Sequence, residues 1–94
     1  MARLGDAEIE ERLRAVSGWK REGDAIAKTF KLPSFREAVA FVGRVAQVAD
    51  AADHHPDILI RYRRVTLTYS THSEGGLTRK DFDGAAAAET AAGS

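Results

Sequence analysis

Apolar and polar positions change period repeatedly along the chain, and each change predicts an element. Ile9, Leu13 and Val16 recur at helical spacing over residues 6–16, which predicts a short amphipathic helix with Asp6 as N-cap and Gly18 as stop. Residues 19–32 read as a hairpin: "WKRE", a turn at Gly23-Asp24, then "AIAKTFKL" with Ile26, Phe30 and Leu32 on one face, interrupted by Lys28. Ser34 followed by Glu37 has capping-box spacing, and Phe35, Ala38, Val42, Val45, Ala49 and Ala52 trace the core-facing stripe of a long helix. Pro56 should stop that helix, because proline drives the preceding His55 out of helical geometry.

Two β-rich runs follow. In "RVTLTYSTH" the residues Val65, Leu67, Tyr69 and Thr71 alternate with Thr66, Thr68, Ser70 and His72, so one face is apolar and the other polar. "SEGG" at 73–76 is a loop, and Thr78 with Asp81 can cap a last helix carrying Phe82 and a run of alanines, with "AAGS" expected to fray. The order α-β-β-α-β-β-α predicts an α+β, two-layer sandwich: a four-stranded antiparallel sheet with helices packed on one face, in a single domain over residues 1–94. The run "RYRRVTLTY" is long enough to pair with a second copy, which raises self-association.

Composition narrows the function. The chain has 94 residues, 44% of them hydrophobic, enough for one modest core. With 14 basic and 14 acidic residues, formal charge is zero and gives no footprint for nucleic acid or an anionic membrane. There is no cysteine, which excludes disulfides, thiolate nucleophiles and cysteine zinc sites. The charged opening "MARLGDAEIEERLRAV" lacks a signal peptide's apolar core, and no run of apolar residues reaches membrane-spanning length, so the expected location is cytoplasmic.

Of only three histidines, two are adjacent in "DAADHHPD". Imidazole, with an unperturbed pKa of about 6.5, gives and takes protons near neutrality. Asp50 and His54 share a face if the helix persists that far. The bland alternative is a helix-end histidine on the macrodipole with a routine surface partner, an exposed His72, and an Asp81 that only caps. A metal site fits poorly, since adjacent histidines do not easily reach one ion. Serine hydrolysis lacks a Gly-x-Ser-x-Gly elbow. Arg61, Arg63 and Arg64 around Tyr62 could suggest RNA, although a solvated hairpin tip is the simpler reading.

Taken together, "HHPDILIRYRRVTLTYSTH" and "GLTRKDF" resemble the pterin-4a-carbinolamine dehydratases. The family pattern is an acidic residue, three positions, His-His-Pro, an aromatic six residues later, a Thr-His on the next strand and an aspartate in the last helix. Asp50, His54, His55, Pro56, Tyr62, Thr71, His72 and Asp81 stand at those intervals, and Trp19 matches a tryptophan at the family's first strand. Asp50 departs from the glutamate common in animal members.

The resemblance implies dehydration of a 4a-hydroxytetrahydropterin to the quinonoid dihydropterin and water, recycling the cofactor of aromatic amino acid hydroxylases, without metal or redox cofactor. It implies His54 and His72 as the acid–base pair, His55 as a positioning residue, and Asp50 as the group orienting His54. The pterin would lie against His54 to Pro56 and Thr71 to Glu74, Ser73 included, with Asp81 contributing and Trp19 near the pocket. Implied partners are the pterin, a hydroxylase and further copies as homodimer or homotetramer. The rival implied role is a non-catalytic dimerisation or assembly cofactor on the same fold.

Overall fold

The structure, a computed structural model, describes residues 3–93. Helix α1 (Asp6–Leu13) buries Ile9, and Val16 is buried in the turn beyond it. Gly5, not Asp6, is its N-cap; the Asp6 carboxylate instead accepts from the Arg21 guanidinium at 2.9 Å. Strands β1 (Lys20–Glu22) and β2 (Ala25–Lys31) pair antiparallel about the Gly23-Asp24 turn. Lys28 does face the core, and the interruption has a physical reason. Its Nζ donates to Glu89 at 2.6 Å and to the Ser17 carbonyl at 3.1 Å, and lies 4.7 Å from the centre of the Phe30 ring.

Helix α2 (Phe35–Ala52) starts where the Ser34 hydroxyl accepts from the Glu37 N–H, as the spacing predicts. Its buried stripe is Ala38, Phe41, Val45 and Ala49. Phe41 rather than Val42 is central, and Phe35 and Ala52 face outward. The Phe41 ring packs on Phe30 at 4.9 Å.

Strand β3 (Asp57–Arg61) and strand β4 (Arg64–Tyr69) form a hairpin with Tyr62 in the left-handed region. Sheet order is β1-β2-β4-β3, all antiparallel. This corrects the expectation that "RYRRVTLTY" offers a free edge: the turn breaks the run, and β4 is a central strand whose two edges are occupied. The open edges belong to β1 and β3.

Alternation along β4 divides the molecule. Val65, Leu67 and Tyr69 are buried with Ile26 and Phe30 under the helices, whereas Thr66, Thr68 and Ser70 lie on the uncovered face. A 3₁₀ turn, His72–Glu74, leads to helix α3 (Arg79–Ala91), which runs through the first residue of the "AAGS" tail and is capped at Ala92; Ser94 lies outside the described residues. Gly84 admits α3 to the sheet: a Cβ there would meet the Tyr69 ring at 2.5 Å.

Candidate active site

The helix-to-strand corner decides where the histidines point. Asp53 ends α2 in the left-handed conformation (φ 52°), which aspartate tolerates better than most side chains. The His54 N–H reaches back to the Ala49 carbonyl at 3.1 Å and the Asp53 N–H to Asp50 at 3.2 Å, a Schellman arrangement. The helix therefore stops before Pro56, and the two imidazoles leave the corner in different directions.

His54 turns inward. Its Nε2 lies 2.6 Å from Asp81 Oδ1, and its ring stacks on Tyr69 with planes 22° apart. Asp81 is fully buried; its Oδ2 accepts from the Thr71 hydroxyl at 2.8 Å and from the Thr78 N–H at 2.9 Å, closing the capping box of α3. The hydroxyl protons have one consistent order. Lys80 N–H donates to Thr78 Oγ1, Thr78 donates to Thr71 at 2.9 Å, and Thr71 donates to Asp81. Because a carboxylate only accepts, His54 carries a proton on Nε2. Burial, and secondarily the charge of Asp81, push the Tyr69 phenol up to about 12. A cavity of about 280 Å³ between α2 and α3 reaches this corner, lined by Val48, Ala52, His54, Tyr69, Lys80 and Ala87.

His55 turns outward. Its Nε2 lies 2.9 Å from Asp50 Oδ1. With His72 it lines a cleft of about 340 Å³ on the uncovered sheet face, together with Glu22, Asp24, Asp57 and Thr68. Ser70 also borders the cleft and ties its far wall by donating to the Asp24 carbonyl at 2.7 Å. Two imidazoles and several carboxylates around one solvent-open space can move protons to and from a bound molecule.

The structure thus regroups the residues singled out from sequence. Asp50 pairs with His55 and not with His54, because the left-handed Asp53 ends the helical phase on which an i, i+4 pairing depends. His54 and His72 do not share a cavity. Thr71 is buried with its hydroxyl in the Asp81 network, and Asp81 both caps α3 and holds His54. Pro56 is half-buried at the start of β3, while Ser73 and Glu74 are exposed on the 3₁₀ turn beside His72. Trp19 lines neither cavity: it is buried against Phe30 and Tyr69, and its indole N–H donates to Glu89 at 2.9 Å.

Glu22, Asp24 and Asp57 escaped the sequence reading. The polar face of β4 pointed to their neighbourhood, but strand register was needed to bring them together. Among the described residues no three His, Cys, Asp or Glu side chains converge as a metal site. No described helix is long and apolar enough to cross a membrane.

The family model "Pterin 4 alpha carbinolamine dehydratase" matches residues 2–91. A protein of Roseiflexus castenholzii named "Putative pterin-4-alpha-carbinolamine dehydratase" is 65% identical over 90% of this chain and 91% of its own. One of the same name from Sulfolobus acidocaldarius is 48% identical over 86% of this chain and 89% of its own. Among solved structures, a transcriptional coactivator/pterin dehydratase from Brucella melitensis superposes with TM-score 0.92 at 38% identity, covering 96% of this chain and 98% of the other. A pterin dehydratase-like protein identified as a RuBisCO assembly factor in the alpha-carboxysome superposes with TM-score 0.71 at 24% identity over 82% of this chain and 92% of its own, a likeness of fold.

Proposed function

The chain belongs to the pterin 4 alpha carbinolamine dehydratase family, and on that basis we propose that it dehydrates a 4a-hydroxytetrahydropterin in the cleft between His55 and His72. The observation that carries this reading is that these two imidazoles, from the α2–β3 corner and the end of β4, line one solvent-open space. In the reaction the C4a–O bond breaks as a proton joins the departing hydroxyl, water leaves, and N5 gives up its proton as the C4a–N5 double bond forms. One imidazole supplies the first proton and the other takes the second. Positioned acid–base groups contribute about 10²–10⁴-fold.

His55, with Nε2 held on Asp50, exchanges through Nδ1. His54 acts as a positioning residue: anchored on Asp81, it fixes the backbone that presents His55. The geometry favours this division over a His54–His72 pair, because those two face different cavities. Thr68, Ser70 and the exposed Ser73–Glu74 turn border the substrate. The reading places the protein in the cytoplasm as a homodimer or homotetramer serving an aromatic amino acid hydroxylase, with no metal or redox cofactor. A purely assembly role, as in the alpha-carboxysome protein, is the rival, and a retained pair of cleft imidazoles argues against it.

Stopped-flow absorbance of 4a-hydroxytetrahydropterin decay tests the proposal. Wild type should accelerate decay and a His55→Ala, His72→Ala double variant should not; no acceleration by folded wild type would sink the enzyme reading.

A further inference from the structure

The uncovered sheet face extends well beyond the histidine cleft, and strand register arranges it in three rows. Ala27, Thr68 and Asp57 stand side by side at the cleft end; Thr29, Thr66 and Leu59 form the middle; Lys31, Arg64 and Arg61 form the far row. The first row adjoins an acidic wall with Glu22 and Asp24. The last puts three cations directly opposite one another on adjacent strands, an arrangement that is repulsive by itself. Among the described residues no carboxylate pairs with any of the three. The depression they line also takes in Tyr62, the most exposed large apolar side chain described. In the middle row the two threonine hydroxyls bond each other at 2.8 Å beside the exposed Leu59, a small-residue, half-apolar floor.

Thr68 and Arg64, four positions apart on β4, are separated by about 13 Å at the usual strand rise. The whole face thus offers proton-exchanging imidazoles at one end, a flat floor, and unpaired cations at the other. From this we propose that the substrate is a pterin with an extended tail ending in carboxylates, the ring seated at His55 and His72 and the tail running over Thr66 and Leu59 to Arg61, Arg64 and Lys31. The inference rests on the pterin reading of the cleft and specifies the substrate class. A three-carbon tail is too short to reach the far row, whereas an aromatic amide ending in glutamate reaches it. Nucleic acid fits less well, because a polyanion laid along the face would meet Glu22, Asp24 and Asp57 at the other end.

Isothermal titration with 7,8-dihydrofolate and with 6-hydroxymethyl-7,8-dihydropterin measures the tail separately from catalysis. Wild type should bind dihydrofolate about tenfold more tightly, the worth of one charge-assisted contact. That advantage should vanish in an Arg61→Gln, Arg64→Gln variant and shrink with added salt, while affinity for the short pterin stays unchanged. Equal affinity for both ligands in wild type, or a double variant that keeps the advantage or loses only its state of assembly, would overturn the inference. Stopped-flow dehydration of the short 4a-carbinolamine distinguishes the two failures: turnover without tail preference rejects the tail alone, whereas absence of both turnover and pterin binding rejects the function as well.

Discussion

His54–Asp81 and His55–Asp50 are the same chemical pair made by neighbouring residues, and they occupy opposite environments. The first is 2.6 Å long with side chains 12% and 0% exposed; the second is 2.9 Å long with side chains 55% and 78% exposed. Removing one member of a buried pair leaves the other desolvated and unmatched, which is costly. An exposed pair is nearly balanced by its competition with water. The inner pair therefore belongs to the architecture of the corner, and the outer one stands open to solvent and to other partners. The proposed chemistry lies on the side where the pair is worth less to the fold.

Substitutions can break this comparison. The largest effect is expected from His55→Ala combined with His72→Ala, which should lower kcat by about 10²–10⁴-fold while the urea midpoint barely moves. A parallel loss of stability would show that the outer histidines are structural. Next comes Asp81→Ala, which strips acceptors from His54, Thr71 and the Thr78 N–H together. We expect a stability loss of about 3–5 kcal/mol, read by equilibrium denaturation, and a near-normal urea midpoint would mean that water replaces the carboxylate.

Gly84→Ala sharpens the same corner from behind. Alanine gains about 1 kcal/mol of helix propensity over glycine, but its Cβ would sit 2.5–2.9 Å from three atoms of the buried Tyr69 ring. Strain should win, giving a net loss of about 1–3 kcal/mol and a shifted aromatic near-ultraviolet signal. Tyr69→Phe addresses pH. The phenol is raised in the folded protein from 10.0 to about 12, so its contribution to stability is complete below pH 10 and lost as pH climbs toward 12. Thermal melts of wild type should fall steeply across that window, and those of the phenylalanine variant more gently. The smallest effect belongs to Asp50→Ala, at about 0–1 kcal/mol. Any change in its pH–rate profile would then report on His55 and not on folding.

Much of this was legible from the chain because it is written in local periodicity. The alternation from Val65 to His72 separated the two faces of β4, and Ser34 and Thr78 marked two helix starts where the structure has them. What failed depended on phase carried past an interruption. Asp50 appeared to face His54 only if α2 continued, and the left-handed Asp53 removes that condition. The hairpin tip read at Arg61–Arg64 is where the structure turns, at Tyr62 with φ 57°, but the length of "RYRRVTLTY" suggested a free pairing edge, whereas β4 is a central strand. Trp19 fell on a family interval yet packs in the core, since sequence spacing does not record which side of a sheet a flanking residue enters. The grouping of Glu22 and Asp57 with His72 needed strand register, which is a long-range property.

Strand β4 assigns roles by parity. Its odd-numbered residues, continued by Thr71, serve the interior and the Asp81 anchor; its even-numbered residues lie on the uncovered face, where Thr68, followed by Ser70 and His72, lines the cleft. Gain or loss of one residue just after Val65 would turn the residues beyond it over, sending hydroxyls and imidazole toward the core and Leu67 and Tyr69 toward solvent, whereas a change of two would leave each on its own side. Unless a bulge absorbs the change, only even steps in length keep both sets in place, and the strand acts as a reading frame for the candidate site.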